Sequence, residues 1–369
     1  MPDPDLVCQV YAAGGIFSNW LTVAVSYTCD DTEPLRHFAL SCAEPSAAKA
    51  ALKLVPGDRV NIDLAGRRVI ENGFIKIRQV GYDANRHGVQ ITGLSAAGNI
   101  QQASADPGQY RGYAFDAIAR KVAQKYGVSF RMVNPPDGAN LPFPNVIPSH
   151  GETDWHFLRR LARARGIILT AAANGDLVGG VPDGGSGATL EEGRNILSCN
   201  CYIEQPWMDK LLGVAQTPGS DGMSGRTAAE VASTAQINGG PGSGLTARVL
   251  ADQPLNPQEN KIATDAYAQQ ILLDTLRCTV THHGWFKPGT TDLWELGDKV
   301  TVRSPMAFGR VDTQQLRVWS VTCSQTPEGQ TTTSVQLVSE PVFQRKYPDG
   351  QAGDPFGQSA KAASIQMPA

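Results

Sequence analysis

The sequence has no run of about 18 or more apolar residues, so it holds no stretch suited to a transmembrane helix. Nor does it carry a strong charge of either sign. The 32 Lys and Arg face 35 Asp and Glu, leaving −3, which argues against wrapping nucleic acid through bulk positive charge. Charged residues are scarce, at 18%, while 41% are hydrophobic, a balance that supports a packed core rather than a disordered chain. The start, Met1 to Asp5, lacks the basic and apolar regions of a signal peptide, so the expectation is a soluble protein made in the cytoplasm. Several motifs are also missing: no CxxC, GxSxG, HExxH or P-loop occurs. Of the seven cysteines, Cys199 and Cys201 lie too close together for a zinc knuckle. The cysteines read as buried thiols, or alternatively as disulfides formed after release into an oxidising medium. In the second case the odd count leaves one thiol free or bridging two subunits.

What is present is mostly β patterning. Leu21, Val23, Val25 and Tyr27, then Phe38, Leu40 and Cys42, alternate with small or polar residues, which sets one face of each strand in a core. Val60, Ile62 and Leu64 continue the pattern after a Pro56-Gly57-Asp58 turn, followed by Ile75 and Ile77, then Val89 and Ile91. The middle of the chain changes period. Phe115, Ile118, Ala119, Val122 and Tyr126 recur at helical spacing and stop at Gly127. A second helix is predicted from Thr153, with Trp155, Leu158, Leu161 and Ala162 on one face. These patterns divide the chain into a first β-barrel domain (1–102), an α+β insert (103–182), a second β-barrel domain (183–345) and an extended tail (346–369). Within the third part, 218–244 is rich in Gly, Ser, Thr and Ala and is expected to be a mobile insertion. A helix is predicted over 258–276.

A weak internal repeat gives this division its meaning. Residues 57–64 read GDRVNIDL and 297–304 read GDKVTVRS. Ile75–Val80 aligns with Leu316–Val321, and Val89-Gln90-Ile91 with Val335-Gln336-Leu337. The matches are collinear and the extra residues fall in turns, as in two copies of one fold. The fold class is therefore mainly β with an α+β insert: two similar small β-barrels from an internal duplication, linked by a small α+β domain.

At this point the chain resembles a known family. A β domain with a PGD-type turn, a helical insert running from Gly151-Glu152-Thr153-Asp154-Trp155 through Phe157-Leu158-Arg159-Arg160-Leu161-Ala162 to Gly166-Ile167, and a second β domain are similar to the baseplate hub proteins of Mu-like phages. The resemblance spans roughly residues 5 to 345. It implies a structural, non-enzymatic protein with tail-tube-like barrels, placed in the tail baseplate of the virion and assembled in the host cytoplasm. It implies a homotrimer whose six barrels adapt a hexameric tail tube to a trimeric central spike. The implied partners are the spike, the tail tube protein or tube initiator, baseplate wedge proteins and the tape measure protein, with DNA passing only in transit through a channel and no membrane insertion. Spike proteins of type VI secretion have a similar first half and continue into an OB barrel and a β-helix. Neither is seen here, so a separate spike is expected.

Groups that could carry other chemistry have plainer readings. Arg159, Arg160, Arg163 and Arg165 read as a solvated helix face or as ion pairs to a neighbouring subunit. His282 and His283 are adjacent on a strand, point to opposite faces and cannot simply share a metal. His150 and His156 have no acidic or thiol companion. Glu152 and Asp154 suit a helix N-terminus, and Glu191 and Glu192 a loop. No catalytic, cofactor or metal residue is assigned. The alternative function, a tail-associated peptidoglycan hydrolase or glycan-binding protein, would need two distant carboxylates or Trp155 as a sugar platform.

Overall fold

The computed structural model describes residues 8–12, 14–29, 35–43, 54–82, 87–217, 219, 224–237, 239–251, 253–309 and 311–344. The chain start and the expected tail at 346–369 lie outside them. The first part consists of β1 (Cys8–Ala12), β2 (Gly15–Phe17), β3 (Thr22–Thr28), β4 (Arg36–Ala43), β5 (Arg59–Leu64), β6 (Arg67–Tyr82) and β7 (His87–Leu94). The middle holds α1 (Phe115–Lys125), β8 (Phe130–Val133), α2 (Asp154–Ala164), β9 (Ile168–Ala171) and β10 (Leu177–Gly180). Then follow β11 (Ser186–Glu191), β12 (Ser198–Ile203), β13 (Lys210–Ala215), α3 (Gly225–Ala229), β14 (Val231–Gln236), β15 (Thr246–Leu250) and α4 (Pro257–Thr275). Last come β16 (Leu276–His283), β17 (Lys299–Arg303), α5 (Pro305–Phe308), β18 (Thr313–Gln325), β19 (Thr331–Ser339) and α6 (Pro341–Gln344).

The strands of the first and last parts join in one 13-stranded sheet. In the first part β3, β4, β7, β6 and β5 lie side by side, each antiparallel to the next. In the last part β12, β16, β19, β18 and β17 repeat that order with the same sense. The outer strand differs: β1 runs antiparallel to β5, but β11 runs parallel to β17. The two groups meet where β18 pairs with β3 over Ser320–Gln325. This corrects the expectation of two closed barrels, because among the described strands neither group closes on itself. The edge of β3 that self-closure would need is taken by β18 from the other end of the chain. One apolar core serves both groups, with Val25, Phe38 and Ile62 in the same cluster as Val280, Val318 and Leu337.

The register refines the repeat. Gly57 N donates to Ile75 O and Gly297 N donates to Val318 O, both at 2.8 Å. Ile75 N donates back to Asp58 O and Val318 N to Asp298 O, both at 3.0 Å. A bulge follows at the same step, between Ile75 and Ile77 and between Val318 and Ser320. Ile75 therefore corresponds to Val318, not to Leu316. Leu40 pairs with Ile91 and Val280 with Val335, so Ile91 corresponds to Val335, not to Leu337. Both sequence matches slip by two residues. An even slip keeps every side chain on its face, which is why the apolar pattern could not reveal it.

The middle part has its own core. Phe115, Ile118 and Val122 of α1 meet Trp155, Leu158 and Leu161 of α2, with Leu169 and Leu177 from the small sheet β8-β10-β9. Thr153 caps α2, its hydroxyl accepting from His156 N at 3.2 Å, as the acid-rich start of that helix suggested.

The span 218–244 is not the structureless insertion expected. Its described residues include α3 and β14, and β14 pairs antiparallel with β13, whose other edge takes β15 in parallel. Val231, Ala235 and Ile237 are buried there. The helix α4 closes this sheet with polar side chains: Asn260 Nδ2 donates to Gly213 O and to Val231 O, each at 2.9 Å. Small and polar packing residues hid the element, because they resemble linker composition.

Candidate functional site

The repeated Gly-Asp turn is built alike in both groups but sits in different surroundings. Val55 N donates to Asp58 Oδ2 at 2.9 Å, and Glu295 N donates to Asp298 Oδ2 at 2.8 Å. Gly57 and Gly297 both take positive φ, at 99° and 86°, which suits only glycine without strain. Asp58 is partly exposed, whereas Asp298 is fully buried and paired with Lys287 Nζ at 2.7 Å. Burial pushes the Asp298 carboxyl up, and the Lys287 ammonium pulls against that shift.

Beside this turn the two groups are locked together by polar contacts. The Tyr27 hydroxyl of β3 donates to Trp294 O. The Trp294 indole donates to His282 Nε2 at 2.7 Å, so this nitrogen carries no proton and His282 Nδ1 donates to His283 O at 3.0 Å. Arg36 is buried above the Tyr27 ring, 4.4 Å from its centroid, and donates to Val69 O at 2.6 Å and Ala171 O at 3.2 Å. These groups hold three parts of the chain in one place. The sequence offered no spacing signal for them, because Tyr27, Arg36, His282 and Trp294 are scattered over 267 positions.

The burial of His282 has a measurable consequence. Desolvation lowers its pKa below 6.5. As pH falls through the ordinary histidine range, the unfolded chain takes the proton first, so stability present above about pH 6.5 is lost below it. Thermal melting from about pH 7 to about pH 5.5 should show this loss, with a smaller slope in His282→Gln. Equal slopes in both proteins would refute the assignment.

The other residues read from the sequence divide clearly. His282 is buried and His283 exposed, on opposite faces as expected. The arginines of α2 are not one solvated stripe. Arg160 grips Glu152 with two bonds, at 3.1 and 3.0 Å, and Arg165 is fully buried against Glu259 of α4 at 2.6 Å. Arg159 and Arg163 line a cleft of about 180 Å³ with Tyr267, Asp274 and Arg277. Asp154 accepts from the Tyr126 hydroxyl and pairs with Lys125, Glu191 pairs with Arg194, and Glu192 accepts from the Ser304 hydroxyl. Trp155 and Leu158 lie in the core, where neither can form a sugar platform. No group of three or more His, Cys, Asp or Glu is placed to hold a metal among the described residues.

The surface offers sheet edges instead. Among the described strands β12 pairs on one side only, with β16, and Leu197 and Tyr202 are exposed around it. β5 pairs with β6 over Arg67–Phe74 and β7 over Phe74–Tyr82, so along 77–81 no described strand lies on the second edge of β6. Ile77 and Val80 are exposed there.

Comparisons with known proteins give these edges a context. Residues 97–180 match the family described as baseplate hub protein gp44-like, second domain. Baseplate hub protein gp44 of Escherichia phage Mu is 25% identical over 218 residues, 57% of this chain and 56% of that one, so the match spans little more than half of the relative. A 43 kDa tail protein of prophage MuSo2 from Shewanella oneidensis has the same fold, with a TM-score of 0.75 at 18% identity, covering 91% of this chain and 99% of that one. A tail protein from Neisseria meningitidis gives 0.75 at 17% identity, covering 93% and 99%. These relatives are named as tail and baseplate proteins, none as an enzyme. Residues 97–180 thus match the second domain of the gp44-like baseplate hub proteins, and over a little more than half of its length the chain is similar to the baseplate hub protein of phage Mu.

Proposed function

We propose that the protein is a structural baseplate hub of a contractile phage tail, a trimeric ring between hexameric tail tube and trimeric central spike. The observation that carries this reading is the junction of β18 with β3. By strand order and register β6 corresponds to β18, and β12 to β3. The contact made inside one chain therefore has an unmade twin: the second edge of β6 over 77–81, and the outer edge of β12. Pairing β12 of one copy with β6 of the next repeats the internal junction between subunits. Three chains then give six similar β units, a route between six-fold and three-fold neighbours. It also covers two edges that would otherwise invite disordered association.

In this reading 1–102 and 183–345 supply the two β units of each subunit, and 103–182 sits between them. The duplication accounts for their shared strand order. The ring encloses a channel for the tape measure and DNA in transit. The spike, the tube or its initiator and the wedge proteins bind its faces, and the ring belongs to the virion baseplate after assembly in the host cytoplasm.

The test is the mass of the purified chain in solution, alone and mixed with its spike. A trimer is expected. Leu197→Asp and Val80→Asp should each release monomers, since an unpaired charge buried at a contact costs roughly 3–5 kcal/mol. A wild-type chain that stays monomeric in both settings would overturn the ring.

A further inference from the structure

Three of the seven cysteines meet on the inner face of β12 and β16. Cys201 lies directly opposite Cys278 in the ladder, and Cys199 Sγ is 3.6 Å from Cys278 Sγ. Their exposure is graded: Cys278 is buried, Cys201 half-buried and Cys199 exposed. The matching positions in the first group are hydrocarbon. Phe38 stands where Cys278 does, and Val23 and Val25 stand where Cys199 and Cys201 do. Packing at these sites is thus satisfied by ordinary apolar side chains in one copy, while the other copy has three thiols within reach of one another.

We propose that Cys199, Cys201 and Cys278 form a thiol–disulfide exchange site whose oxidised state ties the edge strand β12 to β16. The oxidant is a low-molecular-weight disulfide, R–S–S–R. The exposed Cys199 thiolate attacks one of its sulfurs, the S–S bond breaks and one R–S⁻ leaves. Cys278 then gives up its proton to solvent and attacks Cys199 Sγ, and the second R–S⁻ departs. Both leaving thiolates take up protons. Two protein thiols are oxidised to one disulfide, and one R–S–S–R is reduced to two R–SH. Cys278 suits the second step only: its hydrogen bonds to Cys199 and Cys201, and then burial, hold its proton tightly, whereas the hydrogen bond from Cys278 favours the Cys199 thiolate. Cys201, opposite Cys278, is the alternative partner. The site goes beyond the ring reading, since it needs only the fold of one chain.

The experiment treats the purified full-length chain with oxidised glutathione at about pH 8, near the ordinary thiol pKa. It then counts free thiols after denaturation and maps links by non-reducing peptide mass spectrometry. Free thiols should fall from seven to five, with Cys278 joined to Cys199 or Cys201 and no glutathione retained at the site. Cys199→Ser should shift the link to Cys201 and Cys278. Cys278→Ser should retain glutathione on Cys199, with an unchanged circular dichroism spectrum showing that it folds. Lasting glutathione on wild-type Cys199 with Cys278 still reduced would overturn the proposal. So would Cys199 linked between two chains, or no reaction at all. The mass of the reduced chain, measured separately, tests the ring without bearing on this result.

Discussion

Replacing Glu259 by Ala should lower the stability of the protein by about 3–5 kcal/mol, the usual cost of stranding one charge of a buried pair. The Arg165 and Glu259 side chains are 0% and 2% exposed and meet at 2.6 Å. Arg165 also lies over the Phe143 ring, 4.1 Å from its centroid, and donates to Leu141 O at 3.3 Å, so it cannot swing out to water without leaving its packing. Glu259 does a second job. It is the reciprocal partner in the capping box of α4, accepting from Asn256 N at 2.9 Å while Asn256 Oδ1 accepts from Glu259 N at 2.9 Å. Glu259→Gln keeps an acceptor for the cap and should fall between wild type and Glu259→Ala. The double change Arg165→Met with Glu259→Met should regain much of the loss, since no lone charge remains. Urea unfolding followed by circular dichroism measures all three. An unchanged midpoint for Glu259→Ala would show that water reaches Arg165.

The second large effect is expected at Gly93. In β7 it faces Phe38 of β4. An added Cβ would stand 2.2 Å from Phe74 O and 2.3 Å from Phe38 Cζ, far inside contact distance. Gly93→Ala should therefore cost about 3 kcal/mol, near the top of the usual range for overpacking. The corresponding pair in the other group is Leu337 against Cys278, where large and small have changed places. Truncating the ring in the double variant Phe38→Ala, Gly93→Ala removes one clash but leaves the carbonyl of Phe74, so it should not rescue the melting temperature. Full rescue would mean that the ring alone excludes a side chain at this position.

That exchange of sizes also explains what could be read from the chain. Alternation at Val23, Val25 and Tyr27, or at Val60, Ile62 and Leu64, marks the buried face directly, and these residues are buried. The Gly-Asp turns were legible because their geometry demands glycine and an acceptor side chain. Helix faces in α1 and α2 were legible from Ile118, Val122, Leu158 and Leu161. Partner choice was not. Whether β3 closes onto its own group or onto β18 depends on edges that carry the same alternation. The helix expected over 258–276 is present as α4, Pro257–Thr275, but how it packs was not legible, because it buries Asn260, Thr264 and Gln269 as well as Ala263 and Leu272. Arg165 looked like a surface charge because its partner, Glu259, is 94 residues away.

The junction of β3 and β18 sets a timetable for synthesis. Ser26 Oγ and Thr322 Oγ1 lie 3.0 Å apart but 296 residues apart in the chain. At about 5–20 residues per second, a ribosome needs roughly 15–60 s to make the partner of β3 after β3 itself has emerged. Throughout that wait the β4-β7-β6-β5 group can pair within itself, yet β3 presents an open edge to every other nascent copy on the same message. Crowded polysomes should therefore favour edge-to-edge errors between neighbouring chains, and yield should improve when translation is sparse or when a chaperone occupies β3 until β18 arrives.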